Sequence, residues 1–216
     1  MQKIFIMTCL LLQTFLVAIA GDPNPKLLDP KAAVETAPDT YRIQFKTTKG
    51  TFTVKVTRDW SPNGADRLYN LVKIGFYKDI AFFRVINGFM SQFGLHGDPA
   101  VTKAWRMARI KDDPRKDGVS NQPGYLTFAT SGPNSRTTQL FINTRDNTNL
   151  DYQGFTPMGV VEGDGMGVVL SLYNEYGEGM PRGRGPDQRE LTKSGNEYLK
   201  KYFSRLDYII EASLVE

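Results

Sequence analysis

The sequence predicts a single β-rich domain, a sandwich or a closed barrel with few helices, rather than a doubly wound α/β sheet. Three observations support this prediction. Apolar and polar residues alternate over two adjacent stretches near residue 41, short apolar runs separated by Gly, Pro and Asn follow, and only two segments have helical periodicity. With 216 residues, 40% of them hydrophobic, the chain is long enough to bury one core.

A β-hairpin opens the predicted domain. Tyr41, Ile43 and Phe45 alternate with polar residues, and the alternation resumes over 52–56 after Lys49 and a glycine. This pattern is typical of two antiparallel strands with one face buried. Further short strands are expected at 81–86, 125–130, 139–143, 158–161 and 208–215.

Two helices are expected. The first begins at Pro62, with Ser61 as its cap, and ends before Gly75, because the apolar residues between them fall on one helical face. The second covers 197–206, where an apolar stripe follows a capping-box spacing that starts at Ser194.

The N-terminal residues differ from the rest of the chain. Residues 1–20 combine Lys3, a short apolar run and small residues at a cleavage position, which indicates a signal peptide, with an uncleaved membrane anchor as the alternative. Residues 21–40 are rich in Pro and Asp and are expected to form a flexible tether ahead of the domain at 41–216. Export to a periplasmic or extracellular compartment would follow, with no membrane contact after cleavage.

Composition excludes several classes of function. Removal of residues 1–20 leaves 26 basic and 23 acidic residues, an excess too small to predict nucleic-acid binding. Cys9 lies in the predicted signal peptide and His96 is the only histidine, so no metal site or other cofactor is expected. The glycines at 163, 165 and 167 lack the third residue of a dinucleotide fingerprint and a surrounding parallel βαβ pattern. The three arginines between 182 and 189 fit a solvated loop or, less readily, a contact with an acidic partner.

Two sequence blocks resemble the cyclophilin family of peptidyl-prolyl isomerases. The first runs from Phe82 to Gln92 and reads FFRVINGFMSQ; the second comprises SGPN at 131–134 and QLFI at 139–142. The order of the predicted elements from residue 41 onward is also similar. The resemblance implies an eight-stranded antiparallel closed β-barrel with two flanking α-helices, and an enzyme that rotates X-Pro peptide bonds.

The resemblance also assigns the site residues. Arg84 stands at the catalytic arginine, Gln92 at the amide that orients it, and Phe89 and Phe141 in the catalytic pocket. The other matched positions bind substrate; they are Met90, Phe128, Ala129, Thr130, Gln139, Leu140, Asn149, Leu150 and Phe155.

The chain departs from the family pattern at several positions. Asn149 replaces a frequent tryptophan, so a cyclosporin-like cyclic peptide is expected to bind poorly. Phe155 replaces a frequent histidine, and Thr130 a frequent asparagine. The stretch 177–197 is similar to an insertion found in some bacterial relatives.

The residue types suit the isomerisation. Amide resonance opposes rotation, and no nucleophile or metal is needed to overcome it. A permanently charged, planar guanidinium such as that of Arg84 has fixed donor directions for the twisted amide, and the neutral amide of Gln92 holds it without cancelling its charge. A carboxylate at that position would compete with the substrate.

The leading hypothesis is a monomeric isomerase that binds proline-containing segments of unfolded or extended polypeptides and assists folding of exported proteins. The alternatives are a proline-peptide chaperone or scaffold of the same fold without catalysis, and an unrelated barrel with a small ligand.

Overall fold

The computed structural model describes residues 24–216, and the predicted signal peptide at 1–20 lies outside the described residues. Nine strands form one antiparallel sheet in the order β3-β9-β1-β2-β8-β6-β7-β5-β4. Their bounds are β1 Thr40–Thr47, β2 Gly50–Thr57, β3 Ile80–Ala81, β4 Arg84–Ile86, β5 Met90–Phe93, β6 Tyr125–Phe128, β7 Leu140–Asn143, β8 Pro157–Val161 and β9 Tyr208–Val215.

The two edges of this sheet are joined by the chain itself. β3 pairs with β9 at one edge, β4 pairs with β5 at the other, and only Phe82 and Phe83 separate β3 from β4. When β3 and β4 are counted as one interrupted strand, the curled sheet is the predicted eight-stranded barrel. The interruption has a packing reason, because Phe82 lies in the barrel core while Phe83 packs against the C-terminal helix.

The predicted hairpin forms in the expected register. Tyr41 lies opposite Val56, Ile43 opposite Val54, and the rings of Phe45 and Phe52 stack 5.0 Å apart inside the barrel. The apolar residues of both strands therefore face one core, as their alternation requires.

Four α-helices flank the sheet, two more than predicted. They are α1 Pro62–Lys73, α2 Pro99–Trp105, α3 Gly165–Leu170 and α4 Gln188–Tyr202. The additional helices are seven and six residues long, too short for a clear periodic pattern. Because α3 follows β8, which pairs antiparallel with both its neighbours, the glycines at 163, 165 and 167 lie outside any parallel βαβ unit.

Helix α1 begins where the sequence predicts, but it is capped from a distance. The hydroxyl of Ser61 donates to Asp113 rather than accepting from the helix, and the Asp113 carboxylate accepts the backbone N–H groups of Asn63 and Gly64, each at 2.9 Å. Arg136, almost fully buried, donates to the same carboxylate at 3.0 Å. A loop 50 residues away in sequence thus anchors the helix start.

Helix α4 starts nine residues earlier than predicted and ends at Tyr202 rather than at residue 206. Gly195 interrupts it with a φ of +58°, which glycine adopts without steric cost. A β-carbon there would collide with the carbonyl oxygen of Gly97, which accepts the N–H of Asn196 at 2.9 Å. The predicted helix is therefore the second half of a kinked one.

The segment ahead of the barrel, predicted as a flexible tether, lies against the domain over its described residues. The indole of Trp105 donates to the carbonyl of Leu27 at 2.8 Å, and the N–H of Ala37 donates to Asp66 at 2.8 Å. Asn70 exchanges two hydrogen bonds with the backbone of Glu35. These contacts are tertiary, so the Pro- and Asp-rich composition does not reveal them.

Within residues 24–216, no helix combines the length and apolar character needed to cross a membrane.

Candidate functional site

The candidate site lies on the outer face of the barrel, where four neighbouring strands place side chains in one row. The register aligns Arg84 of β4 with Gln92 of β5, Gln92 with Phe141 of β7, and Phe141 with Thr127 of β6. Residues on either side of this row, such as Val85 and Phe93, point into the core. Strand alternation therefore brings the two separate sequence blocks together on one surface.

A cavity of about 140 Å³ opens over this row. Nine of the residues that the sequence assigns to the site line it: Arg84, Phe89, Met90, Gln92, Ala129, Thr130, Phe141, Leu150 and Phe155. Met90, Phe141 and Leu150 form a buried apolar cluster separate from the barrel core, and the rings of Phe141 and Phe155 meet edge to face at 5.7 Å. The pocket thus has an apolar floor of a size that suits one small ring, with a cation at its rim.

The guanidinium of Arg84 is held from several directions. Its Nη1 donates to Oε1 of Gln92 at 2.9 Å, and Nε and Nη2 donate to the two carboxylate oxygens of Glu178, each at 2.7 Å. The ring of Phe89 lies 5.8 Å from the guanidinium carbon. Only about one fifth of the Arg84 side chain is exposed, so its charged head is partly desolvated and its orientation is fixed.

The amide of Gln92 is oriented in turn by Gln139. Nε2 of Gln92 donates to Oε1 of Gln139 at 2.9 Å, which leaves Oε1 of Gln92 to accept from Arg84. Gln92 is buried, so few other partners compete for its amide. Gln139, assigned from the sequence to substrate binding, therefore touches the amide that holds Arg84.

Four assigned residues do not line the pocket: Gln139, which contacts Gln92, and three others. Phe128 and Leu140, paired across β6 and β7, are at most 1% exposed and point into the barrel core, so their side chains cannot contact a substrate on the outer face. The same alternation that places Phe141 outward turns these two side chains inward, so a contact of either residue with a substrate would come from its main chain. Asn149 is exposed in a 3₁₀ turn over Thr148–Gln153, beside the pocket wall formed by Leu150.

The sequence analysis missed Glu178. This residue belongs to the 177–197 insertion and is 94 positions from Arg84, and nothing in its local pattern points to the site. Its bidentate contact places a carboxylate beside Arg84, whereas the sequence argument considered only a carboxylate in place of Gln92, which it expected to compete with the substrate. The hydrogen bonds from Arg84 hold the pKa of Glu178 below its ordinary value, so the pair is ionised at neutral pH.

The other polar features of the described chain lie away from this pocket. His96 sits in the loop before α2, where burial lowers its pKa and its Nδ1 accepts the N–H of Asp98 at 3.0 Å. Arg182, Arg184 and Arg189 are exposed. Between residues 24 and 216, no three His, Cys, Asp or Glu side chains gather as they would around a metal ion.

Comparisons with known proteins point to one family. Residues 42–188 match the family model described as cyclophilin type peptidyl-prolyl cis-trans isomerase/CLD. The chain is 32% identical to peptidyl-prolyl cis-trans isomerase B of Escherichia coli over 160 residues, which cover 70% of this chain and 92% of that protein. It is 34% identical to a peptidyl-prolyl cis-trans isomerase of Acinetobacter baylyi over 137 residues, covering 61% of this chain and 71% of the relative.

Solved structures show the same fold. A cyclophilin type peptidyl-prolyl cis-trans isomerase of Cryptosporidium parvum superposes with a TM-score of 0.60 at 17% identity, over 82% of this chain and 98% of that one. A structure of the same protein in the presence of the dipeptide Ala-Pro superposes with a TM-score of 0.58 at 16% identity, over 81% and 99% of the two chains.

Proposed function

Because the chain belongs to the cyclophilin-type peptidyl-prolyl cis-trans isomerase family, we propose that its outer pocket binds the proline of X-Pro segments and that Arg84 catalyses rotation of the preceding bond. The family and its curated relatives make the chain a peptidyl-prolyl isomerase. The roles of individual residues and the identity of the substrates are the proposal. The observation that supports it is the fixed guanidinium at the rim of a small apolar cavity.

The chemistry requires a donor and an anchor. Resonance opposes rotation of an X-Pro bond with a barrier of roughly 18–20 kcal/mol, and uncatalysed rotation takes tens to hundreds of seconds. Rotation takes the proline nitrogen out of conjugation and makes its lone pair a better acceptor. A donor aimed at that nitrogen or at the moving carbonyl stabilises the twisted amide over both planar forms. Arg84 is the cation that lines the cavity.

The apolar wall supplies the anchor. The buried cluster of Met90, Phe141 and Leu150 offers the proline ring a surface that excludes water. If the proline ring is held while the residue before it turns, the motion becomes rotation about the X-Pro bond. Each 1.4 kcal/mol by which the site prefers the twisted amide gives about a tenfold acceleration.

The rival function is a proline-peptide chaperone or scaffold that binds without catalysis. The held guanidinium favours the enzyme, because a binder needs the apolar wall but not a donor aimed over it. A protease-coupled isomerisation assay on the purified chain tests the choice, with Arg84→Ala as the variant. The matched control is Arg205→Ala, which removes an exposed arginine paired with Glu175 at 3.1 Å.

The enzyme proposal requires an active wild type, an active Arg205→Ala and a folded Arg84→Ala that has lost most of its rate. A folded wild type with no isomerisation rate above background would instead leave the non-catalytic peptide-binding function as the remaining proposal. Equal loss in both arginine variants would remove Arg84 from the catalytic role.

We also propose that the enzyme is exported, acts as a monomer on extended segments of exported proteins and assists their folding. The apolar N-terminal stretch with small residues near position 20 supports this part of the proposal. N-terminal sequencing of the protein from a fractionated native cell tests it. A chain beginning near residue 21 in the exported fraction would agree, and an intact Met1 in the cytoplasm would contradict it.

A further inference from the structure

The Arg84 side chain carries a second partner that the isomerase chemistry does not require. Both carboxylate oxygens of Glu178 accept from it, on the edge formed by Nε and Nη2. Such a bidentate pair fixes the plane of a guanidinium more strictly than one hydrogen bond can. Gln92 holds the remaining nitrogen, Nη1.

Donor accounting shows that the pair leaves Arg84 competent. A guanidinium has five N–H groups; Glu178 accepts from two of them and Gln92 from one. Nη1 has a further, longer contact with Sδ of Met90 at 3.7 Å. Within residues 24–216, one N–H of Nη2 therefore has no acceptor, and the second N–H of Nη1 is held only by that weak sulfur acceptor. Arg84 and Gln92 line the cavity, whereas Glu178 does not, so the carboxylate leaves the pocket open to a proline ring.

Glu178 is itself held by the loop that carries it. The N–H of Gly179 donates to its Oε1 at 2.9 Å, and the N–H of Gly185 donates to its carbonyl oxygen at 2.8 Å. A β-carbon on Gly183 or Gly185 would lie no more than 2.9 Å from that carbonyl oxygen, so the loop can close on Glu178 only with glycine at both positions. The insertion therefore presents this carboxylate in a fixed place.

We propose that Glu178 is a positioning residue for the isomerisation: the insertion loop uses its carboxylate to fix the plane of the Arg84 guanidinium, so that the N–H groups not taken by Glu178 and Gln92 are available to the twisted amide. This inference rests on the proposed function and extends it. An arginine held only by Gln92 would keep most of the rotamer freedom of its long side chain and would lose that freedom in each catalytic event.

The geometry also defines the opposite possibility. A carboxylate beside a catalytic cation lowers its net field and can act as an internal inhibitor. The two roles predict changes of opposite sign, since removal of an inhibitor raises the rate and removal of a positioning group lowers it.

The test compares Glu178→Ala with Glu178→Gln and with the matched control Glu175→Ala. Glu175 belongs to a neighbouring exposed ion pair with Arg205 and has no contact with Arg84 in residues 24–216. For each variant, kcat and KM are measured on an X-Pro peptide. The Nε–H signal of Arg84, identified by its loss in Arg84→Ala, is followed by ¹⁵N NMR.

Glu178→Ala removes both hydrogen bonds to the Nε–Nη2 edge of Arg84. We expect it to lower kcat roughly tenfold, about the contribution of a single charge-assisted hydrogen bond, because Gln92 still holds Nη1, with KM within about twofold of wild type. Glu178→Gln should recover part of kcat, because its amide oxygen can still accept from Arg84. The Nε–H signal should exchange faster with water in Glu178→Ala and stay unchanged in Glu175→Ala.

A kcat that rises or stays unchanged in a folded Glu178→Ala would overturn the positioning role, as would an equal loss in Glu175→Ala or a change confined to KM. An inactive wild type would overturn the proposed function and the positioning role together. An active wild type together with a Glu178→Ala variant of unchanged kcat would overturn the positioning role alone.

Discussion

The chain of contacts from Gln139 through Gln92 to Arg84 makes a sharp prediction for a double-mutant cycle. Gln92→Ala removes the 2.9 Å bond to Nη1 of Arg84. A hydrogen bond to a charged group contributes about 1.5–3 kcal/mol, and we take the lower end because Glu178 still holds the other edge of the guanidinium. The expected loss in kcat/KM is therefore about tenfold.

Gln139→Ala acts one step further away. It removes a bond of 2.9 Å between two neutral amides, for which about 0.5–1.5 kcal/mol predicts a loss of roughly two- to tenfold. If Gln139 works only by orienting Gln92, the double variant should be no slower than Gln92→Ala alone.

The assay is the protease-coupled rate on one X-Pro peptide, with folding checked by circular dichroism. Gln153→Ala is the matched control, because Gln153 is an exposed glutamine that donates to the backbone of Asn149 at 3.1 Å. Additive losses in the double variant would refute the relay and would return Gln139 to the substrate-binding role that the sequence assigns to it.

Three further predictions concern stability and inhibitor binding. Asp113→Ala should lower the free energy of unfolding by about 3 kcal/mol and the melting temperature by about 6–12 °C, because within residues 24–216 it leaves the buried Arg136 with Asp112, at 3.3 Å, as its only carboxylate partner, beside neutral contacts with Ser61 and the carbonyl of Lys111. Calorimetry showing a shift under 2 °C would contradict the buried pair. Burial raises the pKa of Tyr208 from 10.0 to about 12, so the neutral form stabilises the fold below pH 10 and that contribution is lost as the pH rises through 12. Urea unfolding between pH 9 and 12 should show a smaller decrease in the free energy of unfolding for Tyr208→Phe than for the wild type. An equal decrease in both proteins would contradict the raised pKa of Tyr208. Cyclosporin should bind the wild type weakly, and Asn149→Trp should tighten binding roughly tenfold by restoring an indole donor and an apolar face. Titration calorimetry measures this gain in affinity. An unchanged affinity would show that other contacts limit binding.

The sequence predicts those parts of the fold that local periodicity encodes. The strands β1, β2 and β9 were predictable because their inward residues alternate with polar ones or follow a clear terminal pattern. Strand β5, Met90–Phe93, was not, because all four of its residues are buried without alternation, and its Ser91 and Gln92 also break the apolar run that marks the equally buried β7. The packed segment ahead of the barrel was also missed, since its order comes from partners such as Trp105 and Asp66 that are distant in sequence.

The candidate site was predictable where its residues lie close together in one sequence motif. Arg84 and Gln92 are cross-strand partners in a short hairpin, so a motif only nine residues long contains both the cation and the amide that holds it. The motif match gave the positions of Phe128 and Leu140 along the predicted peptide groove but not the direction of their side chains. The alternation that turns Phe141 outward turns them into the core.

Glu178 marks the limit of that approach and changes the electrostatic argument for the site. The sequence argument held that a carboxylate in place of Gln92 would compete with the substrate for Arg84. Competition follows only when the carboxylate takes the donors that the substrate needs. Here it takes the Nε–Nη2 edge and leaves one N–H of Nη2, while Nη1 contacts Gln92 and, at 3.7 Å, the sulfur of Met90. Which edge is occupied depends on the path of the glycine-rich loop around Glu178, a tertiary feature set by Gly183 and Gly185. The ion pair can therefore fix the orientation of Arg84 without closing the pocket, and the sign of the change in kcat on removing Glu178 measures which of these effects is larger.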